Sequence, residues 1–251
     1  MKHEIRLRRR ETVNRYKLRW LFYPFRPSRL IPINMRRGYS QTGEDLIFKQ
    51  LIGNSKSGFY IDIGCGHPID GSNTYLLHRL GWRGLAIDAN PKFSLLWKFN
   101  RPRDRFVNCA IKAKDQADST RSFYNFYADV YSTFDYEQAL NLIAQGLELK
   151  SVDKIPMKEL GDLVRSFSAD FKVGKIQLLS IDVEGLELEV LRLYPFELLN
   201  PEFVCIEELR SPIIQTSAVR EYLAKQGFSL IAYTGLSSIY GQTKDFLIDR
   251  A

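Results

Sequence analysis

The stretch Phe59-Tyr60-Ile61-Asp62-Ile63-Gly64-Cys65-Gly66-His67-Pro68 decides the fold. Five strand-forming residues run into a glycine turn, the pattern of a buried central strand that ends where the backbone bends sharply and leaves room for a ligand. Ser72, Asn73 and Thr74 follow, residues able to cap a helix start, ahead of a helical run from Tyr75 to Leu80. Strand, glycine loop and helix form one unit, so a cofactor site is the first expectation. A second strand, Gly84 to Asp88, ends 22 positions after Gly66. An acid near that spacing accepts hydrogen bonds from a ribose, which predicts a nucleoside-containing cofactor.

Downstream, Asn90-Pro91 opens a helix with Phe93, Leu96 and Trp97 facing inward, and Arg105 to Ile111 reads as a third strand. Strand four, Lys175 to Ile181, delivers Asp182, Glu184 and Gly185, and strand five, Glu202 to Ile206, delivers Glu207 and Glu208. A helix from Val219 to Gln226 and two closing strands, Phe228 to Tyr233 and Asp245 to Ile248, complete the pattern. Strands alternating with helices imply one doubly wound, mostly parallel α/β sheet. Between about residues 112 and 174 the pattern loosens into an insertion. It holds an extra strand, Ser122 to Tyr127, a helix, Tyr136 to Leu149, and a further helix, Lys158 to Phe167. That insertion reads equally as a substrate lid or as packing. Upstream, Gly38 to Asp45 leads into a helix with Ile47 and Leu51 on one face; the lead-in is either a capping loop or a side wall of the cofactor site.

The 251 residues carry a net charge of +7, but unevenly. Residues 1–37 hold 12 Lys and Arg against two acids, whereas the rest holds 24 basic and 27 acidic residues. A mildly acidic domain of residues 38–251 therefore wears a basic arm. The arm mixes Arg8-Arg9-Arg10 with Trp20-Leu21-Phe22-Tyr23-Pro24-Phe25, as membrane-surface segments do, and RNA-binding arms look the same. No stretch approaches the ~20 apolar residues of a membrane span, and no secretory signal is evident. Cys65, Cys109 and Cys205 are far apart and lie in or beside apolar strands, as small buried thiols of a reducing, cytoplasmic compartment do.

Ligands of open α/β sheets bind outside the carboxyl ends of the strands. There this sequence puts Asp62, the Gly64/Gly66 turn, Asp88, Asn108, Asp182 with Glu184, and Glu207 with Glu208. So many carboxylates suit a cationic cofactor or a metal and poorly suit a polyphosphate dinucleotide. Ile69 also stands where the third glycine of the dinucleotide fingerprint belongs.

Four ordered motifs then resemble the FkbM family of S-adenosylmethionine-dependent methyltransferases. They are Tyr39-Ser40-Gln41-x-Gly43-Glu44-Asp45; Asp62-Ile63-Gly64-Cys65-Gly66-His67-Pro68 with Ser72-Asn73-Thr74; Gly81-Trp82-Arg83-Gly84 leading to Asp88-Ala89-Asn90-Pro91; and Asp182-Val183-Glu184-Gly185-x-Glu187. The resemblance spans roughly residues 39–247. It implies a class I methyltransferase fold, Rossmann-like, with a seven-stranded sheet whose last strand is antiparallel. It also implies O-methylation of a hydroxyl on a sugar, glycan, lipid-linked molecule or natural product. The cofactor would meet Asp62, Gly64, Cys65, Gly66, Asp88, Ala89 and Asn108, with Asp62 fixing the loop or meeting the amino group. His67-Pro68 departs from the family, where many members continue with Asn and a further glycine.

Removing a proton from an alcohol that resembles water costs on the order of 11 to 12 kcal/mol at neutral pH if done in advance, which calls for a base acting during attack or for a metal. Asp182, Glu184 and His67 are the candidate bases. Asp182, Glu207 and Glu208 occupy places where catechol O-methyltransferases hold magnesium, so a Mg2+ site is the alternative. An RNA methyltransferase using the basic arm, or a non-catalytic cofactor-binding scaffold, are the rival functions. Against the first, Ser180-Ile181-Asp182-Val183-Glu184 lacks the polar-Pro-Pro-aromatic loop usual in base-amine methylation.

Overall fold

The computed structural model describes residues 38–53, 55–114, 116–128, 131–208 and 216–243. The basic arm of residues 1–37 and the closing strand expected at Asp245 to Ile248 lie outside them. In chain order the elements are α1 (Glu44–Leu51), β1 (Phe59–Ile63), α2 (Tyr75–Arg79), β2 (Arg83–Asp88), α3 (Phe93–Asn100), β3 (Arg105–Asn108), β4 (Ala110–Lys112), β5 (Thr120–Phe126), α4 (Tyr136–Ala144), β6 (Leu149–Glu159), α5 (Leu160–Phe171), β7 (Leu178–Ile181), α6 (Glu187–Leu193), β8 (Phe203–Glu207), α7 (Ala218–Lys225), β9 (Phe228–Tyr233) and β10 (Ser237–Gln242). They fall into two compact units, one of residues 124–151 and one of residues 38–123 with 152–243. No helix among the described residues is long and apolar enough to cross a membrane.

Seven strands form the main sheet in the order β3-β2-β1-β7-β8-β10-β9. β1 pairs in parallel with both β2 and β7, β2 with β3, and β7 with β8. β10 runs antiparallel to β8 and β9. The chain order therefore reverses between β1 and β7, and at such a switch the loops leaving two neighbouring strands diverge to opposite faces and open a crevice. This is the class I methyltransferase topology that the family resemblance implies.

Alternating side chains explain why the sheet is covered on both faces. Ile61, Ile63, Leu85, Ile87, Leu179, Ile181, Val204 and Ile206 point to the face held by α5, α6 and α7, through Val164, Phe167, Leu191 and Leu223. Tyr60, Leu178, Cys205 and Ile239 point to the other face, against Phe48 of α1, Leu77 of α2 and Trp82. Each such apolar side chain stabilises the fold by about 1.5–3 kcal/mol when fully buried.

Four features differ from the sequence reading. The helix expected to reach Leu149 stops at Ala144, where Gly146 at φ +87° turns the chain and its N–H and that of Leu147 reach back to Ile143 O and Leu142 O. Residues 149–159 are then a strand with two-residue alternation, and the following helix starts at Leu160 rather than Lys158. That helix, α5, packs in the main core, so the later part of the insertion is ordinary crossover structure. The third strand divides after Asn108, and β4 joins a separate three-stranded sheet in the order β4-β6-β5. Finally, the last described strand is Ser237–Gln242, whose Ser-Ser-Ile-Tyr-Gly-Gln carries little apolar signal although all six residues are buried.

Candidate active site

β1 ends at the switch point in the glycine turn. Gly64 sits at φ +75°, and a Cβ added there would lie 1.6 Å from the Asp182 carbonyl oxygen at the end of β7. The two strand ends approach this closely because Gly64 has no side chain; Asp182 N also donates to Ile63 O at 2.9 Å. Gly66 follows at φ +52°, and a Cβ there would meet only Gly64 O, at 4.0 Å. The space above Gly66 is open. From below, the turn is fixed at both polar ends: Gly66 N donates to Asp88 Oδ2 at 2.7 Å, and Trp97 Nε1 donates to Gly66 O at 2.9 Å.

Asp88 ends β2 beside this turn. Its Oδ1 accepts from Asn90 N at 2.7 Å. Burial pushes its carboxyl up to about 6 against the pull of the Asn90 and Gly66 hydrogen bonds, so it is ionised at neutral pH. Each carboxylate oxygen carries a second lone pair, which leaves acceptor capacity for a further donor.

Beneath the loop lies a buried cation that sequence reasoning missed. Arg101 donates from Nε to Asp104 at 2.6 Å and from its terminal nitrogens to Tyr60 Oη at 2.5 Å, Thr74 Oγ1 at 2.9 Å, Ser72 Oγ at 3.1 Å and Pro68 O at 3.4 Å. Its guanidinium also lies over the Trp97 ring, 4.0 Å from the centroid. Asp104 is completed by Tyr60 Oη at 2.7 Å and Gly84 N at 2.9 Å. Although burial raises it, the Arg101 charge, then His78 and the Tyr60 hydrogen bond, leave the Asp104 carboxyl below its ordinary range. Nothing in Asn100-Arg101-Pro102-Arg103-Asp104-Arg105 marks this arginine out from exposed Arg103 and half-buried Arg105.

At the other side of the switch, Asp182 and Glu207 leave adjacent parallel strands, each directly after the paired residues Ile181 and Ile206. Burial, then the charges of Glu207, Glu184 and Glu187, push Asp182 up to about 8. Burial, then Glu184 and Glu187, push Glu207 to about 7. Neighbouring carboxyls oppose each other's ionisation, so both hold their protons to higher pH than ordinary carboxyls do. Glu184 is exposed at φ +54°, in the left-handed region, and Glu187 Oε1 caps this bend by accepting from Gly185 N at 2.8 Å and Val183 N at 3.2 Å.

Other expected site residues serve different ends. Asp62 is buried and accepts from Thr74 Oγ1 at 2.5 Å, which ties the end of β1 to the start of α2. The Cys65 side chain packs with Ala86 and Trp97, and its N–H goes to Ile87 O, so only its carbonyl remains for a ligand. Asn108 donates to Asp88 O at 2.8 Å and Ala89 O at 2.9 Å; it props up the loop that carries Asp88. His67 Nδ1 accepts from Ile69 N and Asp70 N, both at 3.1 Å. That network assigns the proton of the neutral ring to Nε2, which leaves no free basic nitrogen and removes His67 as a base. Glu208 is buried and accepts from Ser217 Oγ and from Tyr240 Oη at 2.7 Å, away from Asp182. Among the described residues no group of three or more His, Cys, Asp or Glu side chains can hold a metal ion, so the expected Mg2+ ligand set of Asp182, Glu207 and Glu208 does not fit. In the Tyr39–Asp45 lead-in, Ser40 Oγ accepts from Asp45 N in the first turn of α1 at 3.3 Å, Asp45 accepts from Tyr39 N at 2.7 Å and Ser40 Oγ at 2.8 Å, and Glu44 holds Thr42 and Thr234.

The Methyltransferase FkbM domain model matches residues 62–230, more than half of the chain. The chain belongs to the FkbM methyltransferase family. Curated proteins gave no significant match to this FkbM chain. Among solved structures it is similar to a TehB-like SAM-dependent methyltransferase from Corynebacterium glutamicum, at 13% identity over 92% of this chain and 98% of that one, with a TM-score of 0.39. It is also similar to an O-methyltransferase from Bacillus cereus in complex with SAH, at 12% identity over 81% of each chain and a TM-score of 0.40. For an FkbM methyltransferase, an open glycine turn beside an ionised acid at the switch point is a fitting cradle for a nucleoside-linked sulfonium, and the carboxylates around it match positive charge.

Proposed function

We propose that this chain transfers a methyl group from S-adenosylmethionine to a hydroxyl of a sugar, glycan or natural product. The Gly64–Gly66 backbone and Asp88 would hold the cofactor, which supplies an electrophilic methyl group on a cationic sulfur. Asp88 accepts from the ribose hydroxyls with its spare lone pairs. The turn admits the cofactor because Gly66 leaves the space above it open.

The observation that carries the reading is the Asp182–Glu207 pair beside that turn. An alcohol must lose its proton as it attacks, and a base works best when its own pKa lies near the working pH. Asp182, raised by burial and by its acidic neighbours, meets that condition where an ordinary aspartate would not. It takes the acceptor's proton, and the Glu207 charge beside it keeps that carboxyl basic. Holding acceptor oxygen, methyl carbon and sulfur in line supplies most of the remaining acceleration. Incubation with methyl-labelled cofactor and separate glycan, lipid and RNA fractions tests this directly. Label in base-stable hydroxyl ethers of the glycan or lipid fraction supports the proposal; label confined to RNA bases, or none in any fraction, refutes it.

A further inference from the structure

Helix α3 is apolar on both sides. Its inner side is anchored by fully buried Trp97, hydrogen-bonded to the glycine turn and covered by Arg101. Its outer side presents Leu95 and Phe99, one turn apart and 67% and 72% exposed, the two most exposed large apolar side chains among the described residues. Lys98 stands exposed between them, and Pro102 and Arg103 are exposed just beyond the helix. Arg103 reaches His78 O while remaining at the surface. The single acid from Ala89 to Arg105 is Asp104, whose side chain is fully buried against Arg101. The outer face therefore combines large apolar groups with positive charge and exposes no acid.

Scattered apolar side chains are ordinary on a surface; an adjacent pair this exposed, flanked by cations on a rigid helix, is a contact surface. Charge selects the partner. The exposed apolar residues of α4, Tyr136, Leu140 and Ile143, sit beside Asp135 and Glu137 with no basic residue in the helix, so an anionic surface would be repelled there. On α3 it would be attracted. We propose that the outer face of α3 docks this protein on an anionic membrane, with Leu95 and Phe99 entering the interfacial layer and Lys98 and Arg103 meeting acidic headgroups. The helix is already fixed by Trp97 and Arg101, so docking orders little new structure. This inference goes beyond the methyl-transfer reading and does not depend on the acceptor.

Full-length protein sedimented with vesicles of phosphatidylcholine alone, and with vesicles also containing phosphatidylserine, tests it. Binding is expected only with phosphatidylserine, weakened by added salt, and at least about tenfold weaker for L95S/F99S. Lys98→Glu weakens it in the same direction. An unchanged melting temperature of the double variant verifies that the fold is intact. Failure of the wild type to bind anionic vesicles overturns the proposal. So does equal vesicle binding by L95S/F99S, which assigns attachment to residues 1–37, or a double variant that loses RNA binding or self-association while keeping vesicles.

Discussion

Gly64 and Asp182 stand back to back at the switch point, and single atoms decide what each position tolerates. A methyl group on Gly64 would collide with a backbone oxygen that cannot swing away, in a φ region that already disfavours side chains. Gly64→Ala is expected to destabilise the fold by about 3 kcal/mol or more in urea unfolding; a loss below about 0.5 kcal/mol would mean that the strand ends can part freely. This glycine is legible in the sequence because a strand pattern runs straight into it. The link between Asp182 and Glu207 is not, since adjacency of residues 25 positions apart is a property of strand order. Asp182→Asn should lower methyl transfer by about 10²- to 10⁴-fold while leaving cofactor affinity within about twofold. In the wild type the rate should climb as pH rises through about 7 to 8, where these two carboxyls ionise. A flat profile across that window contradicts the assignment of the base.

Among the elements, the loop from Gly66 to Thr74 is held as a unit by one side chain from the end of α3. Arg101 binds Pro68, Ser72 and Thr74, and Thr74 passes the connection to Asp62 in β1. Removing one partner of a buried pair leaves the other charge stranded, at a cost of about 3–5 kcal/mol. Arg101→Met should therefore destabilise by about that amount, and adding Asp104→Asn should recover part of it, since the stranded carboxylate is then gone. Strict additivity of the two losses in denaturant titrations would rule out the coupling. Here the sequence runs out for a physical reason. Periodicity finds Trp97 on the inner face of α3, but Arg101 lies past the helix end as one of three arginines in five residues, and only tertiary burial separates it from the rest. The same limit applies to β10, whose polar residues are buried because strands pair on both of its edges.

For the molecule as a whole, the acids gathered at one rim set the response to pH. In the unfolded chain Asp88, Asp182 and Glu207 ionise near their ordinary values of about 4. In the fold burial keeps them protonated up to about 6, 8 and 7. Between pH 4 and 8 the folded state thus binds more protons than the unfolded state, and these groups make stability fall as pH rises through that window. Asp182→Asn removes the largest of these effects, so its melting temperature at pH 8 should exceed that of the wild type by at least about 2–4 °C, with a smaller difference near pH 4. A difference independent of pH would place the effect outside ionisation. The alternation of strands and helices and the glycine turn are legible in the sequence, whereas the strand order, the neighbouring carboxyls at the rim and the arginine under the loop arise only on folding. Everything functional here rests on Asp88 and the glycine turn forming one cofactor cradle, which calorimetry of S-adenosylmethionine with wild type and Asp88→Ala measures most directly. The account predicts measurable binding to the wild type, about 10- to 100-fold weaker in the variant, from loss of hydrogen bonds to a charged acceptor; equal affinity, with both proteins folded, would contradict it.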